Sequence, residues 1–294
     1  MSDISVFFTS YPAAFPWIAG LFGLAIGSFL NVAIYRLPVM LERKWRSQCQ
    51  EILEPNKKKP DTAKRFDLVA PGSRCPHCGH AITALENIPV LSFLWLRGKC
   101  SACAKPISWR YPLVELLTGG LTAMVAWYFG YGITALAGIV LTWSLVALSF
   151  IDFDRQLLPD DITLPLLWAG LLLNVFAVFT PLSSAVIGAA GGYAFLWLVY
   201  QIFKLVTGKE GMGYGDFKLF AALGAWLGWQ SLPLIILLSS LVGAIVGIAF
   251  ILFFGRDRQL PIPFGPFLCV AGWVALLWGD TLTRYYLQFA RLAP

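Results

Sequence analysis

The sequence predicts an all-α polytopic membrane protein of about eight transmembrane helices, with a small cytoplasmic tetracysteine zinc domain between the first two. Three observations carry that prediction. Of the 294 residues, 58% are hydrophobic and only 13% charged, and the mean hydropathy is +0.70, a balance that excludes an ordinary soluble domain. The apolar residues gather in runs that reach the ~20 residues needed to cross a ~30 Å hydrocarbon core. Two CxxC pairs stand in the one long polar segment, between the first two runs.

Spans are predicted near residues 14–37, 112–130, 133–151, 162–180, 184–206, 234–254 and 264–283. A further stretch, FKLFAALGAWLGW near 217–230, is short enough for a half-helix or re-entrant segment; counting it as a crossing gives eight. The first run has no basic segment before it and no small-residue cleavage site after it, so it is expected to stay in the chain rather than leave as a signal peptide. Gly188, Gly191, Gly192, Gly243 and Gly247 recur within the spans and read as points of close helix approach.

Charge sets the orientation. Between Arg36 and Arg110 lie 14 of the 22 Lys and Arg residues with six acidic ones, a net +8 against −2 for the remainder. Several of the basic residues flank spans, so the loop is predicted to be cytoplasmic and the N-terminus to lie on the far side. With eight crossings, Arg155, then Lys204, Lys209 and Lys218, then Arg256 and Arg258 return to the cytoplasmic face, while the far-side connections carry no Lys or Arg. Three parts follow: 1–37, tail and first span; 38–110, zinc-binding loop; 111–294, helical domain carrying the acidic residues.

Within the loop, Cys75 and Cys78 form one CxxC and Cys100 and Cys103 the other. That spacing suits a closed tetrahedral thiolate zinc site, which is structural because no coordination position stays open. Paired disulfides are the rival reading, and a reducing cytoplasm disfavours them. His77 and His80 fall in the first knuckle and are alternative ligands; Cys49 and Cys269 stand apart. The segment IPVLSFLWL between the knuckles is too short to span and reads as the core of a small domain on the membrane surface. EPNKKKPDTAKR, Glu54 to Arg65, reads as a flexible linker near anionic lipid headgroups.

Five aspartates recur at the predicted cytoplasmic boundary: Asp152, Asp154, Asp160 and Asp161 in IDFDRQLLPDD, and Asp216 in GMGYGDFK. A carboxylate at the edge of a span is costly unless it is solvated, paired or used. Asp160 and Asp161 follow Pro159 and suit capping of the next helix. Asp152 closes one apolar run and Asp216 enters the next from a glycine-rich loop, so the two can converge at one depth. Two close carboxyls share a proton, one serving as general base for water and the other as general acid for a scissile carbonyl. Pattern alone leaves open a second class, a zinc-stabilised transporter or assembly scaffold whose aspartates bind ions or cap helices. A phosphate-binding reading of the glycine loop lacks the P-loop lysine and the Rossmann context.

GSFLNVAIYRLP, CPHCGH, ENIPVLSFLWLRGKC with its CSAC knuckle, IDFDRQLLPDDIT and GMGYGDFKL together resemble the bacterial type IV prepilin peptidases, over nearly the whole chain. The resemblance implies a bifunctional inner-membrane enzyme. It would cut basic leaders of prepilins and pseudopilins after glycine by aspartyl chemistry, with Asp152 and Asp216 as the catalytic pair at the cytoplasmic face. It also implies methylation of the new N-terminal amine with S-adenosylmethionine. If that reaction belongs to the cytoplasmic loop, Glu86, Gly98 and Lys99 are the candidates nearest the knuckles for holding the cofactor. The expected partners are these protein substrates and membrane lipids, with no nucleic acid.

Overall fold

The computed structural model describes residues 3–54, 65–254 and 262–289. All but the two end residues of the Glu54–Arg65 linker lie outside the described residues, as do Arg256 and Arg258. Among the described residues there is no β-strand, only two isolated bridges, Arg74 with Ala81 and Lys99 with Pro106. The chain forms two compact units, Met1–Tyr131 and Gly132–Pro294.

The first unit holds α1 (Asp3–Ser10), α2 (Ala14–Leu53), α3 (Leu91–Trp95) and α4 (Arg110–Phe129). Helix α2 departs most from expectation, since the first span was predicted to end near residue 37. Its 40 residues extend for about 60 Å at ~1.5 Å per residue, twice the ~30 Å hydrocarbon thickness. Pro38 lies inside it. A proline removes one backbone bond, but the strong helix formers in the run that follows, MLERK, let the helix continue.

A seam of small residues joins α2 to α4. A Cβ placed on Gly23 would lie 2.7 Å from Thr122 Oγ1, and one on Gly27 would lie 2.7 Å from the Cα of Glu115. Backbones can approach this closely only where side chains are missing. Asn31 Nδ2 then donates to the carbonyl of Tyr111 at 3.1 Å, near the start of α4. Of the expected small-domain core, α3 buries Phe93 against Trp109, ring centroids 4.6 Å apart, and leaves Leu91, Leu94 and Trp95 exposed.

The second unit comprises α5 (Ile133–Arg155), α6 (Asp160–Val175), α7 (Leu182–Thr207), α8 (Tyr214–Leu227), α9 (Leu232–Phe254) and α10 (Gly265–Phe289). Its centre is α8, buried from Leu219 to Trp226 and packed on α6, α7 and α10. Side chains at Gly188 of α7 or Gly224 of α8 would overlap the other's carbonyl oxygen, so these helices touch backbone to backbone. Gly192 packs on Phe220, Gly243 faces Phe267 and Gly247 faces Ile262, as packing predicts, whereas Gly191 faces open space. Buried Asn174 donates to the carbonyls of Ala225 and Trp226 at the end of α8 and accepts from the amides of Phe179 and Thr180. The indole of Trp226 donates to Leu166 O at 2.7 Å.

Among the described residues six helices are long and apolar enough to cross a membrane. Helices α6 and α8 have only 16 and 14 residues, about 24 and 21 Å at ~1.5 Å per residue. The structure therefore has six long helices and two short ones where eight crossings were expected. A helix sheathed by other helices need not match the lipid thickness, and α8 is sheathed in that way.

Candidate functional site

Asp152 lies in the last turn of α5 and Asp216 in the first turn of α8. Both belong to the second unit and both are buried, 5% and 7% exposed. Each is held by a glycine amide: Gly265 N, which opens α10, donates to Asp152 Oδ2 at 3.0 Å, and Gly213 N donates to Asp216 Oδ2 at 3.2 Å. Leu158, in the turn after α5, packs against Gly215 on one side and Gly265 on the other. The loop glycines expected to permit close approach do so at Gly215, where a Cβ would lie 2.7 Å from that of Leu158. Among the described residues, buried Asp216 Oδ1 has no hydrogen-bond partner, an arrangement that costs free energy and recurs at sites of chemistry.

The remaining aspartates differ. Asp154, Asp160 and Asp161 are exposed. The capping reading needs correction: Pro159 occupies the N-cap of α6 without a side-chain cap, and Asp160 and Asp161 stand in the first turn. There their charge complements the helix dipole. Asp160 also accepts from Lys218 Nζ at 2.7 Å, tying α6 to α8 beside the buried pair. Sequence reasoning missed Gly265, Leu158 and Lys218. Only Lys218, in the same motif as Asp216, carried a local signal.

In the first unit the two knuckles have matching backbones. Gly79 N donates to Cys75 O and Cys75 N to His80 O; Ala104 N donates to Cys100 O and Cys100 N to Lys105 O, each at 2.9 Å. The four sulfurs lie within 4.8 Å of one another, with Cys75 to Cys103 at 3.9 Å and Cys78 to Cys100 at 4.0 Å. A tetrahedron with metal–sulfur bonds of ~2.3 Å has edges of about 3.8 Å, so the thiols fit a single ion. None of them is in a disulfide. Amides of the knuckle, Cys78's first and then His77's, hold the Cys75 thiol down to about 6, whereas burial and the neighbouring thiols push Cys78 up to about 11.

Glu86 accepts from the hydroxyl of Ser101, from the amide and hydroxyl of Thr83 at 2.8 and 2.9 Å, and lies 3.3 Å from His80 Nε2. Those bonds, Ser101's first, hold its carboxyl down to about 2. Gly98 adopts φ +69°, and a Cβ there would lie 3.0 Å from Cζ of Phe93. Lys99 is exposed and bridges to Pro106. A cavity of about 740 Å³ opens beside the knuckles, wholly within this unit; Glu86 lines it, Gly98 and Lys99 do not.

Fold and site together define a polytopic helical membrane protein with a buried carboxylate pair in one unit and a four-cysteine cluster in the other. Residues 21–129 match the bacterial peptidase A24 N-terminal domain and residues 139–248 the type IV leader peptidase family. The chain belongs to the type IV leader peptidase family. It is 58% identical over 277 residues to a prepilin leader peptidase/N-methyltransferase of Aeromonas salmonicida (strain A449), covering 93% of this chain and 95% of that protein. The proteins of the same description from Aeromonas hydrophila and Pseudomonas aeruginosa are 59% and 56% identical. These alignments cover 92% and 97% of this chain, and 95% and 97% of the respective relatives. No solved structure matches the chain significantly.

Proposed function

We propose that this protein removes the basic leader from type IV prepilins and pseudopilins after a glycine, at the cytoplasmic face of the bacterial inner membrane, and N-methylates the residue exposed. The observation that supports the proteolytic half best is that Asp152 and Asp216 are both buried and each anchored by a glycine amide, with Leu158 packed between Gly265 beside the first and Gly215 beside the second. In that reading the ionised carboxylate takes a proton from water, whose oxygen attacks the scissile carbonyl carbon. The protonated carboxyl donates to the carbonyl oxygen; collapse of the tetrahedral adduct returns a proton to the leaving amine. A hydrophobic setting strengthens each of these charge interactions.

The thiolates of Cys75, Cys78, Cys100 and Cys103 are the proposed ligands of a structural zinc ion, which would staple the knuckles together. The methyl donor is proposed to be S-adenosylmethionine, used by the first unit, where Glu86, Gly98 and Lys99 lie. Bound there, it supplies an activated methyl group. Incubating the purified protein with a synthetic prepilin, with and without S-adenosylmethionine, tests both halves. Mass spectrometry should show loss of the leader in both samples and the added methyl mass only with the cofactor. An uncut prepilin would leave the transporter or scaffold reading in its place.

A further inference from the structure

The first unit holds two buried, oppositely charged side chains at one cavity, and nothing in leader cleavage uses them. Glu115 of α4 and Arg36 of α2 are each 8% exposed, and both line the 740 Å³ space beside the knuckles. Glu115 accepts from the amide of Val90 at 2.8 Å, and no cation among the described residues pairs with it. Val90 presents that amide from φ +60°, a conformation costly for a β-branched residue. Arg36 gives two of its five N–H groups to the carbonyls of Asp67 and Pro71, at 2.9 and 2.6 Å, and among the described residues its other donors are not taken up. Buried charges left without an opposite partner are expensive. A ligand carrying both signs would offset both. The cavity also offers the rings of Tyr35 and Tyr111, while that of Phe66 already carries Arg43, 4.2 Å from its centroid.

We propose that this cavity is the S-adenosylmethionine site, an inference that rests on the methyltransferase half of the proposed function. The cofactor combines a planar purine, which aromatic faces accept, with cationic groups for Glu115 and a carboxylate for Arg36. A cavity of this volume falls within the ~300–1,000 Å³ usual for small-molecule and cofactor sites. The inference also gives Gly98 a part: a side chain there presses on Phe93, which lines the cavity, so Gly98 acts on the site through packing and is a positioning residue.

The test is direct binding, without turnover. S-adenosylhomocysteine is titrated calorimetrically into the purified, metal-loaded full chain and into its Glu115→Gln and Tyr111→Ala variants, with zinc content and melting temperature as checks on folding. The wild type should bind, and Glu115→Gln should weaken binding about tenfold or more, the usual effect of removing a charge-assisted contact. An 8-azidoadenine analogue of the cofactor, photolysed on the wild type and mapped by mass spectrometry, should label residues 28–36, 66–82 or 105–115. No binding by the wild type would overturn the methyltransferase reading and this site with it. Binding by the wild type, with label confined to residues 132–294 or with both folded variants at wild-type affinity, would overturn the site alone.

Discussion

At the residue scale, one backbone contact separates Asp152 from the exposed aspartates nearby. Its Oδ2 accepts from Gly265 N, 113 positions later in the chain, whereas Asp154, two residues on, is exposed. Asp152→Asn and Asp216→Asn should each abolish leader cleavage while the protein still folds, because an amide keeps the shape and loses the transferable proton. Asp154→Asn and Asp161→Asn should stay close to wild-type rate when leader removal from a synthetic prepilin is followed by mass spectrometry. Gly265→Ala tests the anchor itself. The added Cβ would lie 2.6 Å from Asp152 Oδ2, and displacing a reacting group by ~1 Å costs about a hundredfold in rate. A Gly265→Ala enzyme at wild-type rate would mean that the geometry of Asp152 does not matter to cleavage.

At the scale of elements, the α7–α8 crossing and the paired knuckles are the places where one change should propagate. Gly188→Leu forces α7 from the carbonyl of Gly224; overpacking of this kind costs about 1–3 kcal/mol or more. Thermal unfolding in detergent should show a lower midpoint. Gly191→Ala, which faces open space on the same helix, should leave the midpoint unchanged or raise it. Elemental analysis should find one zinc per chain. Cys100→Ser should lose the metal and destabilise the first unit by several kcal/mol, since metal binding in small modules is folding energy of order ~10 kcal/mol. A metal-free wild-type protein of unchanged stability would remove zinc from the description.

Considered as a whole molecule, the chain keeps its two sets of chemical groups in different compact units: the aspartates in Gly132–Pro294, the knuckles and the cavity in Met1–Tyr131. Peptide hydrolysis and methyl transfer should therefore separate by mutation. Asp216→Asn, supplied with an already cleaved pilin, should still methylate it, and substitutions at Gly98 or Lys99 should lower methylation more than cleavage. The mass of the mature N-terminus reads both. An Asp216→Asn protein that binds the pre-cut pilin without methylating it would mean that the two reactions share residues.

The sequence by itself determined what local chemistry dictates. Apolar run length specified the long helices, CxxC spacing specified a four-thiol cluster, and aspartates at the ends of apolar runs, read with the family resemblance, made Asp152 and Asp216 the candidate pair. What it left to the tertiary structure were distances between positions far apart in the chain. A 13-residue apolar stretch has the same composition whether it faces lipid or other helices, so the enclosure of α8 by α6, α7 and α10 was not legible. Nor could Pro38 reveal that α2 continues to Leu53, because a proline's local cost was outweighed by the helix formers beyond it. Gly265 and Leu158 became parts of the aspartate site only because folding brings α10 and the α5–α6 turn against it. The cavity had no sequence signal for the same reason: Arg36, Phe66 and Glu115 share no motif, and only the packing of α2, the knuckles and α4 sets them around one space.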